Sequence, residues 1–185
     1  MSGLGYESIH ACVNDCFLFW GEDHKDKQLC PVCNTSRWKD SNTSGKKVPN
    51  KVLCYFSIIP RLQHLYKSSH TAKEMTWHAT GKCMEPGKMQ HLVDGRAWKN
   101  FDTKYPDFAK EPRNVRLGLA ADGFNPFKSS FMLTLLILGP KSPGKDIDVY
   151  LRPFINDLKN LWAKPGVETI DVATGQKFNM RAMVL

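Results

Sequence analysis

Four cysteines within the first 33 residues carry the clearest chemistry in this sequence. Cys12 and Cys16 have three residues between them, Cys30-Pro31-Val32-Cys33 is a tighter second pair, and thirteen residues separate the pairs. Two close pairs on a short loop can give one zinc ion its four soft ligands in a tetrahedron. A C-x-x-C turn points both sulfurs to one side, where backbone amides donate to them, and Pro31 favours that turn. Four thiolates leave no open coordination position, so the chemistry implied is structural rather than catalytic. His10, two residues before Cys12, is either a replacement ligand or a surface histidine. Cys54 and Cys83 stand alone and read as buried thiols.

No other catalytic constellation emerges from spacing. The sequence has no glycine-rich phosphate loop, no H-E-x-x-H and no G-x-S-x-G. Asp122 stands before Gly123 at the end of a strand-like run. Asp-Gly in that position is turn chemistry, or else a metal-binding carboxylate presented at a strand end.

The 26 lysines and arginines outnumber the 18 acidic residues, giving a net charge of +8. A surplus of that size favours polyanions such as DNA, with anionic membrane surfaces second. The start, Met1-Ser2-Gly3-Leu4-Gly5-Tyr6-Glu7, lacks the basic residues and apolar core of a secretory signal. The longest apolar run, Phe131 to Leu138, is interrupted by Thr134 and is too short to span a bilayer. An intracellular location is therefore expected, where cysteines bind metal or stay free rather than form disulfides.

The elements that must position these residues follow from periodicity and turn chemistry. Residues 1–38 are turn-rich, and 39–50 read as a polar linker. Lys51 to Ile59 suits a strand or buried turn. Pro60 to Tyr66 suits a helix with proline at its first position. Thr71-Ala72-Lys73-Glu74 predicts a capping box opening a short helix through Met75 and His78. Residues 79–112 read as irregular, with a turn at Asp94-Gly95. Residues 115–121 and 131–138 read as neighbouring strands, the second one buried. Ile147, Tyr150, Leu151, Phe154, Ile155, Leu158, Leu161 and Trp162 recur at helical spacing and predict a packed helix, kinked or starting near Pro153. Its packing residues are expected to be Ile147, Leu151, Ile155 and Leu158. A strand, turn and strand should close the sequence from Val167 to Leu185.

Longer motifs carry a resemblance. Glu7-Ser8-Ile9-His10-Ala11-Cys12-Val13-Asn14-Asp15-Cys16 resembles the Y-E-x-I-H-A-C-x-N-D-C motif of plant CACTA-type (En/Spm) transposases. The likeness continues through Cys30-Pro31-Val32-Cys33, Ile58-Ile59-Pro60-Arg61-Leu62, Trp77-His78, Ala97-Trp98-Lys99 and Asn114-Val115-Arg116-Leu117-Gly118-Leu119. It runs on through Asp122-Gly123-Phe124-Asn125-Pro126-Phe127, Gly139-Pro140-Lys141-Ser142-Pro143-Gly144, Asp146-Ile147-Asp148-Val149-Tyr150-Leu151 and Phe178-Asn179-Met180-Arg181-Ala182. The resemblance covers essentially the whole sequence.

The resemblance implies a DDE-type transposase with an RNase H-like catalytic domain, in which three carboxylates hold two divalent metals for DNA strand cleavage and transfer. Asp122 matches the first carboxylate. Two departures stand out. Only Lys128-Ser129-Ser130 lies between Phe127 and Phe131, where the family carries a longer stretch with a further hydrophobic strand, and the sequence reaches Leu185 before the family's second catalytic aspartate. The expected architecture is α+β: a four-cysteine zinc-binding segment with linker over 1–50, a mixed helical and irregular region over 51–112, and an incomplete RNase H-like mixed sheet with one packed helix over 113–185. The expected function is that of an inactive transposase fragment with an internal deletion; the alternative is a non-catalytic zinc-bearing module that binds nucleic acid or protein. Zn2+ is expected as a structural ion. Mg2+ or Mn2+ serves the intact family and is not expected to bind productively to one carboxylate. DNA is the expected partner, held weakly and without sequence preference, with a transposase oligomer in the intact family, no membrane, and a nuclear location.

Overall fold

A computed structural model describes residues 5–40, 45, 47–80, 92–119, 132–138 and 146–185. The architecture is mixed α+β, and the chain divides into two compact units. The first comprises residues 1–58 and 131–156, the second residues 59–130 and 157–185.

In the first unit β1 (Glu7–Ala11), β2 (Leu18–Phe19) and β3 (Lys51–Tyr55) are joined by β4 (Leu135–Leu138) into one antiparallel sheet, ordered β2-β1-β3-β4. Strand alternation explains its buried face: Ile9 and Ala11 on β1 and Leu53 and Tyr55 on β3 have almost no exposure. Central register is set by Ile9 opposite Leu53 and Leu53 opposite Ile137. The first turns of helix α1 (Ile147–Trp162) belong to this unit, with Tyr150, Pro153 and Phe154 buried and the Tyr55 hydroxyl donating to the Pro153 carbonyl at 3.2 Å.

The second unit opens on helices α2 (Ile58–Leu65), α3 (Ser69–Met75) and α4 (Trp77–Thr80). A 3-10 turn (Leu92–Asp94) then leads into α5 (Arg96–Lys104) and α6 (Pro106–Ala109). Strand β5 (Val115–Leu117) pairs in parallel with β6 (Ala182–Val184), while β7 (Val167–Asp171) and β8 (Gln176–Met180) form a hairpin. Leu62, Tyr66, Phe108, Leu161 and Met180 are its fully buried large side chains. The hairpin turn is fixed by Asp171, whose carboxylate accepts from the Ala173 amide and the Thr174 hydroxyl, both at 2.9 Å. Gly166, at φ +105°, leads into β7, and a Cβ there would meet the Met180 carbonyl oxygen at 2.7 Å.

Several expectations are corrected. The strands at Val115 and Leu135 are not neighbours: the first pairs with β6 and the second with β3. Among the described residues the second is also an edge strand, with Leu136 and Leu138 about half exposed, so an apolar run signalled a strand without a fully buried position. Helix α1 begins at Ile147 and carries Pro153 inside it. Its buried stripe is Tyr150, Pro153, Phe154, Asp157 and Leu161, whereas Ile147 and Ile155 are exposed. The capping box does not form: Ser68 is the N-cap without a side-chain hydrogen bond, and Thr71 donates backwards to the Leu65 and Ser68 carbonyls. Residues 79–112 contain α5 and α6, for Trp98, Phe101, Tyr105 and Phe108 recur at helical spacing across Pro106, which opens α6 instead of breaking a helix. The loop 139–144 lies outside the described residues.

Asn114 ties the second unit together. Its amide donates to the Phe108 carbonyl at 2.9 Å and its carbonyl accepts from the Arg181 amide at 2.8 Å, both buried. Asn114→Ala would orphan both backbone groups, and we expect a loss of about 2–6 kcal/mol, at roughly 1–3 kcal/mol for each group. Chemical denaturation of the whole protein measures it, and a variant as stable as the parent refutes the role.

Candidate metal centre

The four cysteines sit on two knuckles of the same local design. In the first, the Cys12 amide donates to the Phe17 carbonyl at 2.8 Å and the Asp15 amide to the Cys12 carbonyl at 3.0 Å. In the second, the Cys30 amide donates to the Thr35 carbonyl and the Asn34 amide to the Cys30 carbonyl, both at 2.9 Å. Each tight reversal needs one left-handed residue, and Asp15 (φ 60°) and Asn34 (φ 57°) supply it, being types that tolerate that conformation. The reversals aim backbone amides at sulfur: Asn14 N–H lies 3.4 Å from the Cys12 Sγ, and Val32 N–H lies 3.4 Å from the Cys30 Sγ.

All four sulfurs lie within 4.8 Å of one another. Cys12 to Cys33 is 3.4 Å, and Cys16 is 3.5 Å from each of Cys12, Cys30 and Cys33. Zinc–sulfur bonds of about 2.3 Å in a tetrahedron place sulfurs about 3.8 Å apart, so a small outward movement admits the ion. The sulfurs are free thiols, and the donor set is soft, which suits zinc. Phe17 and Phe19, edge-to-face at 5.4 Å, pack with Cys12 and Cys30 and cover the inner side of the cluster. Cys33 is exposed on the outer side.

The electrostatics differ from sulfur to sulfur. Burial pushes the Cys12 thiol up to about 11 and raises Cys16 still further. Hydrogen bonds from Thr35 and from the Asn14 side-chain amide hold Cys33 down at about 5. A divalent ion reverses the burial cost, because its charge stabilises every thiolate at once.

His10 is not part of the cluster. Its Nδ1 accepts from Arg37 Nε at 2.8 Å, its ring meets Trp38 edge-on at 5.3 Å, and burial lowers its pKa. Cys54 is buried on β3, and Cys83 lies outside the described residues. Asp122 also lies outside them. Residues that spacing did not single out hold the knuckle in place. The Asp15 carboxylate accepts from Lys51 Nζ and from the Tyr150 hydroxyl; Lys51 is buried at the start of β3, and its ammonium lies 5.5 Å from the Tyr150 ring centroid. Burial, then this hydrogen bond, keeps Tyr150 protonated. The sequence signal for Asp15 was its position in an N-D-C turn, one residue before a ligand.

Beyond this centre the family comparison is decisive. The model of transposase family tnp2 matches residues 86–130 and 128–185, more than half of the sequence. The chain belongs to this transposase family. The matched residues begin after the cysteine knuckles, and the two matches meet at Lys128-Ser129-Ser130. No curated protein and no solved structure matches the chain. No helix among the described residues is long and apolar enough to cross a membrane.

Because Cys12 and Cys16 hold their protons at neutral pH, a metal must displace both, whereas Cys33 is already a thiolate. Affinity for zinc should therefore fall by at least about a hundredfold per pH unit on acidification near neutrality, a factor of ten for each displaced proton. Competition titration against a chelator of known pH dependence measures this slope, and a flat profile would show that these thiols are not the ligands.

Proposed function

We propose that this chain is a piece of a DDE-type, CACTA-like (En/Spm) transposase that retains a structural zinc centre and DNA affinity but performs no strand transfer by itself. The observation that carries the reading is the two-part family match. The break falls at Lys128-Ser129-Ser130, the point where the motif resemblance lacks a stretch of the family pattern. Membership in a transposase family makes DNA the natural partner, and the net charge of +8 supports it. A nuclear location follows from that role.

Zinc is assigned to Cys12, Cys16, Cys30 and Cys33, since four convergent sulfurs with amide donors form a closed structural site. The ion would fix the two knuckles relative to one another and leave no position for substrate. Asp122 is assigned as the first catalytic carboxylate on its motif, Asp122-Gly123-Phe124-Asn125-Pro126-Phe127. The RNase H-like catalytic fold is carried over from the same motif. One carboxylate does not assemble a two-metal site, because hard cations need several oxygen ligands. Asp146 and Asp148, the nearest acidic residues in the family motifs, are exposed at the start of α1, where carboxylates favour the helix dipole. A second reading is a non-catalytic zinc-bearing module, favoured by the knuckles having their own apolar cover in Phe17 and Phe19.

Cleavage and strand transfer on terminal-repeat DNA with magnesium or manganese, together with zinc content, tests the proposal. We expect no product from the parent chain and none from Asp122→Ala, with one zinc per chain in both proteins. Product formation abolished by Asp122→Ala would overturn the claim of inactivity and mean that further carboxylates reach the site. Zinc-free protein with intact structure would overturn the metal assignment.

A further inference from the structure

The helix α5 has two chemically opposite faces. Its inner residues are Trp98, Phe101 and Asp102, while Arg96, Ala97, Lys99, Asn100, Thr103 and Lys104 are exposed. The inner face is locked. Phe101 meets Phe108 edge-on at 5.2 Å, Asp102 binds the Arg116 guanidinium at 2.5 Å, and that guanidinium stacks 4.5 Å from the Trp98 ring centroid. Arg116 is almost fully buried, so the one carboxylate of the helix is neutralised by a cation that is not on the surface.

Arg96, Lys99 and Lys104 pair with no carboxylate among the described residues. Asp107, just beyond the helix, is held by Lys164 at 2.9 Å. Solvated helix faces usually intersperse the two signs, because like charges three or four residues apart repel. Here the exposed face carries three cations, Arg96, Lys99 and Lys104, beside the uncharged Ala97, Asn100 and Thr103. Its end opens at Lys104 into a cavity of about 350 Å³ lined also by Tyr105, Trp162, Arg181 and the ion pair of Asp107 with Lys164.

We propose that this face of α5, running to the cavity rim at Lys104, is the surface that holds the phosphate backbone of duplex DNA. The inference rests on the transposase reading and says where its DNA lies. Charge complementarity selects a polyanion. Length selects a duplex: Arg96 to Lys104 spans about 12 Å at 1.5 Å per residue, comparable to the roughly 12 Å width of the major groove between phosphate strands. The packed inner face fixes the helix backbone from which the three cations project.

The test uses the full chain, zinc-loaded, titrated with a fluorescent 20-base-pair duplex at several salt concentrations. Three proteins are compared: the parent; R96A/K99A/K104A; and K67A/K73A/K159A, which removes the same charge from exposed positions elsewhere. Circular dichroism and thermal melting confirm that each is folded. We expect the α5 variant to bind at least tenfold more weakly at about 0.1 M salt. Its slope of log affinity against log salt should be shallower by about 2.7, at 0.9 for each of three lost phosphate contacts. The control variant should keep most of the parent's affinity. Equal weakening of both variants would overturn the inference, since the charge would then act diffusely while DNA binding itself stood. A parent chain that binds no duplex would instead overturn the transposase reading on which it rests. A single strand held as tightly as the duplex, with the same dependence on α5, would overturn the choice of duplex.

Discussion

Convergence of four sulfurs on one point is the constraint around which the first unit is built. Its sheet is small, and β2 has only two residues, so apolar burial alone offers little. The knuckles compensate by tying the chain before and after β2 to each other through the cysteine cluster. That geometry dictates residue types well beyond the ligands. Asp15 and Asn34 must accept left-handed backbone, Asn14 and Val32 must offer amides to sulfur, and Phe17 and Phe19 must fill the space beneath.

The second unit uses buried and half-buried guanidinium groups packed on aromatic rings. Arg181 lies 4.6 Å from the Trp162 ring centroid and donates twice to the Trp162 carbonyl, at 3.1 and 3.0 Å. Arg116 stacks on Trp98 and Phe108 and binds Asp102. Arg113 lies 4.2 Å from the Phe178 centroid and binds Glu111 through two contacts of 2.7 Å. A guanidinium tolerates this setting because its flat faces pack against rings while its edge donors find oxygen. Removing a carboxylate partner would leave a buried cation, which costs far more than an exposed ion pair contributes.

Local chemistry was legible in the sequence and long-range pairing was not. The cysteine pairs were visible because knuckle geometry depends on a few consecutive residues. Helix α1 was visible because its period survives even Pro153. The hairpin of β7 and β8 was visible because Thr174-Gly175 is a local turn signal. By contrast, the run at Leu135–Leu138 says strand but not which sheet, and its true partner, β3, lies about 80 residues earlier in the chain. Helix α5 was hidden because its period is carried by only two aromatics, Trp98 and Phe101, among charged and polar residues, and the flanking Gly95 and Pro106 resembled loop punctuation. The stripe on α1 was misplaced by one position, since hydrophobic pattern alone did not distinguish Ile155 from Phe154.

The cysteine centre and the family-matched region are parts of one folding problem. The matched residues include β4, the edge strand of the cysteine-bearing sheet, and Tyr150, whose hydroxyl donates to Asp15 inside the first knuckle. Lys51 binds the same carboxylate from β3. A segment ending before Lys51 would keep all four sulfurs but lose both partners of Asp15, leaving a carboxylate in a left-handed turn with nothing to hold it. The metal ligands are therefore local in sequence, while the groups that orient their knuckle come from positions 51 and 150. The geometry of the cysteine cluster and the packing of α1 against this sheet are accordingly linked through a single carboxylate. The residues matched to the transposase family thus include supports of the cysteine cluster, although none of the four cysteines lies among them.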